Sequence, residues 1–416
     1  MLMTLQDWLA YINQLHDKQI DLGLVRVKEV ASKLGLASPD KPVIVVAGTN
    51  GKGSTVAVLE SIYVATGLKT GAFTSPFLYQ FNEIIRINGQ PVENVDICEA
   101  FEKIEAARGD ISLTPFEFNT LAALIIFKKI AVEVYILEIG LGGRLDAVNL
   151  VDSDVSIITS ISYDHQDRLG HTLDEIGFEK AGVFRAHQQA VFGEKSPPQR
   201  VLKVAQALNV DLHLPGYQYD TRVSAHAWDW FCDQISYKGL PLPKLAITNA
   251  SNALMVVQLM QKKLPVTQAH ITEGMLTAQL PGRLQVIQKP ILTVLDVAHN
   301  PASVKWLAEK VRSLKPQGKR RAVFCMLQDK NLIDSILCIK DDIDEWFIAP
   351  VDNLRSFTTE QMAARMQTLQ IHPFTFPDIK TAYQAALAKS YPQDCLVVFG
   401  SFYTVLACGA GDTPSV

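Results

Sequence analysis

Residues 42–55, PVIVVAGTNGKGST, constrain what this chain can fold into more than any other stretch. Four β-branched residues, Val43, Ile44, Val45 and Val46, run into a loop holding Gly48, Gly51 and Gly53 around Lys52, and a helix-competent segment, 55–63, follows. That order specifies a buried strand, a phosphate cradle and a helix start. Glycines let backbone N–H groups approach an anion, the helix N-terminus adds partial positive charge, Lys52 adds a full one, and the Ser54 or Thr55 hydroxyl can reach Mg²⁺. The common G-x-x-x-x-G-K-[ST] pattern is not met, because Val46 takes the place of its first glycine and Gly53 separates Lys52 from Ser54. A plain glycine turn would leave Lys52 without a role. Thr49, Asn50, Gly51, Lys52, Gly53 and Ser54 are therefore expected to bind a nucleotide phosphate.

At 416 residues the chain exceeds one ordinary core, so two or three domains are expected. A net charge of -4, with no long basic run, argues against nucleic acid or an anionic membrane as main partner. The longest apolar run, 121–141, is broken by Lys128, Lys129, Glu133 and Glu138, and residues 1–18 read as a charged amphipathic helix without a secretory pattern. Six cysteines with no C-x-x-C spacing suit reduced thiols in the cytoplasm.

Further strands are expected at 69–74, 83–88, 132–139 and 154–160, with helices at 95–107 and 116–129 between them. Alternation of apolar strands with helices predicts a mainly parallel sheet wrapped in helices, whose ligands gather beyond the carboxyl ends of the strands. Three such ends should converge: the loop 49–54, Glu138, and Asp164 with His165. Residues 212–242, with Trp228, Trp230, Phe231 and Tyr237, read as a small added sheet, closed by helices at 249–262 and 267–278. Residues 280–290, with two prolines and a glycine, read as a linker, and a second, smaller Rossmann-like α/β series follows. The domains are placed at 1–284 and 285–416.

Glu138 ends a strand of Val, Tyr, Ile and Leu, where an unpaired carboxylate would cost several kcal/mol, so a Mg²⁺ or a basic partner such as Arg144 is expected. His165, at another strand end, is a candidate metal ligand. Ser75, in TSP, can ligate a metal or simply turn the chain. Lys180, in FEKAGVF, alone reads as a solvated helix lysine. Asp296, His299 and Asn300 form a polar tip on a buried strand. Asp296 as cap of the next helix, with Pro301 in its first turn, explains one acceptor and leaves the other two residues open.

Taken together, VAGTNGKGST, TSPFL, ILEIGLGGRLDAVN, SYDHQDRLG, EKAGVF, LPGR and DVAHNP closely resemble the folylpolyglutamate synthase branch of the Mur ligase superfamily. The family loop is itself G-T-N-G-K-G-[ST], which accounts for the misfit above. IDLGL at 20–24, ARGDISLT-x-FE at 107–117 and GGRLDA at 142–147 resemble the bifunctional bacterial members, which also make dihydrofolate. By that resemblance Asp21, Leu22, Gly23, Thr114, Pro115, Phe116, Glu117, Leu145, Asp146 and Ala147 form a dihydropteroate pocket; Pro115 replaces an aromatic residue of some relatives.

The resemblance also implies a mechanism and partners. ATP would phosphorylate the carboxylate of dihydropteroate or of a folate, and L-glutamate would attack the acyl phosphate. Lys52 would hold the β/γ-phosphates, Ser75 and Glu138 one Mg²⁺, and Glu138 with His165 a second. Lys180 matches the lysine carbamylated in the superfamily, and Asn249, Arg283 and Asp296 match ATP-contacting positions, with 280–290 as the hinge of domain closure. A monomer is the family-like expectation. Folylpolyglutamate synthesis alone, or a Mur-type ligase acting on another carboxylate, are the alternatives; a peptidoglycan-precursor ligase would carry a longer N-terminal domain than the forty-odd residues before the loop.

Overall fold

The computed structural model describes residues 3–233, 235–288 and 290–410. Two compact units, Met1–Gln279 and Leu280–Val416, divide the chain.

The first unit is built on an eight-stranded sheet in the order β4-β3-β2-β5-β1-β6-β7-β8. Its strands are β1 (Val43–Ala47), β2 (Thr70–Phe73), β3 (Ile85–Ile87), β4 (Gln90–Pro91), β5 (Val134–Glu138), β6 (Val155–Ile158), β7 (Gln189–Phe192) and β8 (Asp211–His213). Strands β2, β5, β1, β6, β7 and β8 run parallel, whereas β3 and β4 add an antiparallel edge turned at Asn88 and Gly89. Every residue of β1, β5 and β6 is buried, which is why these strands read as continuous apolar runs. The register sets Val46 beside Glu138 and Ala47 beside Ile158, so three strands end level with one another.

Among the described residues ten helices accompany this sheet: α1 (Leu5–Ile12), α2 (Val25–Lys33), α3 (Lys52–Ala65), α4 (Asn94–Arg108), α5 (Pro115–Ile130), α6 (Gln166–Leu169), α7 (Leu173–Ala181), α8 (Gln199–Ala207), α9 (Ile247–Met260) and α10 (Gln268–Thr277). Helix α5 starts at a Thr114–Glu117 capping box and is buried on all sides from Thr120 to Phe127, which explains the long apolar run. Among the described residues no helix is long and apolar enough to cross a membrane.

The small sheet expected at 212–242 is three-stranded, β9 (Tyr219–Val223), β10 (Ala227–Cys232) and β11 (Ile235–Pro241), while residues 211–213 join the large sheet as β8. It braces α9. Tyr219 Oη donates to Asn252 Oδ1 at 2.7 Å and Trp230 Nε1 to the Ser251 carbonyl at 3.2 Å.

The second unit has a six-stranded sheet, order β12-β13-β17-β14-β15-β16, comprising β12 (Gln285–Ile287), β13 (Leu292–Asp296), β14 (Arg320–Phe324), β15 (Glu345–Ile348), β16 (Phe374–Thr375) and β17 (Cys395–Phe399). Helices α11 (Pro301–Ser313), α12 (Leu332–Leu337), α13 (Thr359–Gln367), α14 (Ile379–Ala388) and α15 (Phe402–Ala407) complete it. Only β12 is antiparallel to its neighbour. The expected linker is thus partly sheet: residues 285–287 pair with β13, and Val297 N–H donates to the Gly282 carbonyl at 2.9 Å. Its prolines and glycine mark the turns on either side of a short edge strand, and Lys289 lies outside the described residues.

Candidate active site

The loop after β1 has the backbone its glycines allow. Gly48 sits at φ 142°, and a Cβ there would come within 1.9 Å of Thr159 Oγ1; Gly51 sits at φ 87°, with a Cβ 2.4 Å from Asn249 Oδ1. Asn249, on α9, therefore lies against the loop. Gly51 is the N-cap of α3 and, among the described residues, no side-chain cap hydrogen bond closes the start of that helix, which leaves its positive end open to an anion. The segment after β6 fixes the loop: Thr49 N–H donates to the Ser160 carbonyl at 2.8 Å, Asn50 N–H to Ser160 Oγ at 3.1 Å, and Thr159 Oγ1 to the Asn50 carbonyl at 2.7 Å. Thr55 Oγ1, in the first turn of α3, is buried with no hydrogen-bond partner.

Two lysines meet on one carbonyl. Lys52 Nζ lies 3.2 Å from Gly48 O and 3.3 Å from Thr49 O, and Lys180 Nζ lies 2.9 Å from Gly48 O. Lys180 is 3% exposed, so the solvated helix lysine that FEKAGVF suggests by itself is buried at the loop instead. Burial first, and then the neighbouring Lys52 charge, pull its ammonium down to about 7, opposed by Asp164 and Asp146. Asp146 is driven the other way, pushed up to about 7 by burial, although it accepts N–H bonds from Leu141 at 2.9 Å and Val148 at 3.0 Å.

Glu138 is 4% exposed, and its Oε2 lies 3.4 Å from Ser75 N–H, so the structure brings together two of the expected metal ligands. Arg144 instead pairs with Glu179 at 2.9 Å. The Ser75 loop is anchored at both ends. Glu83 accepts N–H groups of Leu78, Tyr79 and Gln80, while Arg86 donates to Thr74 Oγ1 at 2.8 Å and to Glu60 of α3 at 2.9 Å. His165 caps α6 in left-handed geometry, φ 50°, with its ring 39% exposed and 3.9 Å from Asp164. Among the described residues no three His, Cys, Asp or Glu side chains cluster as a metal site. A hydroxyl, a carboxylate and an imidazole still suit a hard divalent ion that takes most of its oxygens from phosphate and water.

The expected pterin residues come from three segments. Gly23 N–H donates to Leu145 O at 3.1 Å, which joins the loop 21–23 to the loop 145–147. Phe116 presses under Gly140, where a Cβ would meet its ring at 2.6 Å, and lies 5.8 Å from the Phe73 ring. Thr114 and Glu117 form the α5 cap beside Pro115. Arg26, which the sequence reading missed, lies 2.6 Å from Asp21 and 3.4 Å from Glu117. Its signal was an arginine in the first turn of α2, five residues after Asp21.

In the second unit, the helix after β13 is capped by Asn300, not by Asp296 as the sequence suggested: Ser303 N–H donates to Asn300 Oδ1 at 3.0 Å, with Pro301 at the first helical position. Extended backbone at Asn300 puts its short amide in reach of that N–H. Asp296 accepts from Leu284 and Ala298 N–H, both at 2.8 Å; burial raises its carboxyl while Arg283 opposes the shift. His299 Nδ1 lies 2.9 Å from Val297 O, and Arg283 stacks 5.0 Å over the Phe402 ring.

An open helix start flanked by two lysines, on a parallel sheet and followed by a second α/β unit, defines a Mur-type ligase. The Mur ligase middle domain matches residues 46–260, and the Mur ligase glutamate ligase domain matches residues 282–402. Dihydrofolate synthase/folylpolyglutamate synthase of Escherichia coli K12 is 41% identical over 401 residues, covering 96% of this chain and 94% of that one. The structure of E. coli FolC in complex with DHPP and ADP superposes with a TM-score of 0.94 at 40% identity, covering 97% of this chain and 96% of that one. The Yersinia pestis bifunctional folylpolyglutamate synthase/dihydrofolate synthase complexed with AMPPNP and Mn gives 0.93 at 42% identity, covering 98% of both chains. The chain belongs to the dihydrofolate synthase/folylpolyglutamate synthase family of Mur ligases.

Proposed function

We propose that this chain is an ATP-dependent ligase that adds L-glutamate to dihydropteroate, giving dihydrofolate, and to the glutamate tail of folates. The observation that carries this reading is the junction at Gly48, where Lys52, Lys180 and an uncapped helix start meet within the same unit as the pocket segments 21–23, 114–117 and 145–147. A carboxylate oxygen of the acceptor attacks the γ-phosphorus, the bond from that phosphorus to the bridging oxygen breaks, and ADP leaves. The glutamate amine then attacks the acyl carbon, loses a proton and expels phosphate.

Lys52 and the loop N–H groups hold the β/γ-phosphates and offset the charge that develops on them. A divalent ion, when bound, supplies further charge neutralisation at these oxygens; Ser75, Glu138 and His165 are the residues that would hold it in two sites. Lys180, its ammonium weakened by burial, is suited to take up CO₂ as a carbamate with loss of a proton, an anion that would serve as a further ligand to a bound divalent ion. Asn249 borders the nucleotide loop, and Arg283, Asp296, His299 and Asn300 are assigned to ATP on the resemblance. A cytoplasmic monomer is the expected form.

The deciding assay supplies ATP, labelled glutamate and either dihydropteroate or a reduced folate, and follows ADP and the amide product. Product with both acceptors is expected. Product with the folate alone means polyglutamylation only, and product with neither means a different amide ligase. Glu138→Gln should abolish Mn²⁺ binding in the presence of AMPPNP; retained binding refutes the metal assignment.

A further inference from the structure

The three segments assigned to the pterin pocket are far apart in sequence, so something must fix their spacing. One joint is the backbone bond from Gly23 to Leu145. The other runs through a side chain. Arg26 Nη1 lies 2.6 Å from Asp21 Oδ2, Nη2 donates to the Asp21 carbonyl at 2.8 Å, and the same Nη2 lies 3.4 Å from Glu117 Oε1. The guanidinium thus spans from the loop 21–23 to the first turn of α5.

Glu117 is itself rigidly held. Its Oε2 accepts Thr114 N–H at 2.7 Å and Thr114 Oγ1 at 2.9 Å, and the residue is 2% exposed. Its other oxygen, Oε1, is buried without a hydrogen-bond partner, as is Arg26 Nε. A buried acceptor left unmade costs about 1–3 kcal/mol, more when charged. At 3.4 Å the Arg26 guanidinium supplies the opposite charge that offsets this oxygen and ties the two segments together.

We infer that Arg26 is a positioning residue for the pterin-bearing acceptor: it clamps the loop 21–23 against Glu117 in the first turn of α5, and so sets the pocket's width. This rests on the pocket reading above. Two Asp21 acceptors bonded by one planar fork that also stands in ion-pair range of Glu117 cannot be reproduced by an ammonium, so lysine should not substitute.

The test is a KM comparison on the full-length protein with Arg26→Gln, Arg26→Lys and Asp21→Asn. KM for dihydropteroate and for a reduced folate should both rise about tenfold or more, as expected for a misplaced binding wall, with Arg26→Lys close to Arg26→Gln. KM for ATP should stay within about twofold, since the phosphate loop is held by other bonds. Arg26→Lys and Asp21→Asn keep the question answerable where Arg26→Gln does not fold. Unchanged acceptor KM, a parallel rise in the ATP KM, or rescue by lysine overturns the inference. Phe116→Ala is measured alongside. Raised acceptor KM in Phe116→Ala with none in the Arg26 variants defeats the clamp alone, whereas no change in any variant defeats the pocket reading itself.

Discussion

Both units place a polar loop between a buried parallel strand and a helix, and they finish it in opposite ways. After β1 the helix starts at Gly51, in left-handed geometry, with no side-chain cap hydrogen bond among the described residues and two lysines nearby. After β13 the helix starts at Asn300, in extended geometry, closed by a reciprocal Asn300–Ser303 cap, with a carboxylate, Asp296, behind it. One junction leaves the start of its helix without a side-chain cap, and the other closes it with a reciprocal cap of its own side chains. The cost of the open start is met elsewhere: α3 is tied into the fold through Glu60, which pairs with the almost buried Arg86. The cap residue and the sign of the nearby charge, not the strand–loop–helix outline, decide whether a helix start is open to an anion.

The contrast can be broken by experiment. The largest effect is expected at the tertiary anchor of the open helix. Arg86→Met leaves Glu60 buried and unpaired and should cost about 3–5 kcal/mol in urea unfolding, whereas the double variant with Glu60→Leu should recover much of it. Loss of the same size in both would show that the pair is not what secures α3. Next comes Gly51→Ala, which needs a left-handed backbone and drives a Cβ into Asn249. AMPPNP affinity by calorimetry should fall about 100-fold, roughly 2.7 kcal/mol. Full affinity there, with loss in Asn300→Ala, would invert the comparison.

The charge beside the open junction gives the third prediction. Lys180 sits near 7 in the fold and near 10.4 when unfolded, so between those values the unfolded chain binds the extra proton and this group adds stability as pH rises. Below about 7 its neutral fraction falls about tenfold per pH unit. The carbamate signal from ¹³C-bicarbonate should decline along that slope and vanish in Lys180→Ala, whose ligation short-chain carboxylic acids should partly restore. A pH-independent signal would show that the Lys52 charge and burial do not govern this amine. The smallest effect belongs to the closed junction: Asn300→Ala should cost about 1 kcal/mol of stability, with Asn300→Asp near neutral, in thermal unfolding.

The central buried strands were legible because apolar, β-branched-rich runs such as VIVVA and VYILE suit a parallel sheet covered on both faces, whereas β4, β7 and β16 were not expected and β8 was assigned to the small sheet. β12 was hidden, since three residues between turn formers give no periodicity. In the site, Lys52 was legible from three neighbouring glycines, while Lys180 was not, because its burial depends on a carbonyl 132 residues away. Only the family resemblance singled it out. Arg26 escaped both routes, since an arginine in a helix's first turn looks like any surface charge until Glu117 is seen beside it.

The small sheet β9–β11 carries a lesson for protein engineering. It resembles a removable ornament, an obvious target when a shorter catalytic core is wanted. Yet Tyr219 and Trp230 grip Asn252 and Ser251, in the same helix as Asn249, which lies against Gly51. Trimming the ornament would remove two of the hydrogen bonds that hold α9, the helix that carries Asn249 against the loop after β1, and so is expected to loosen that loop.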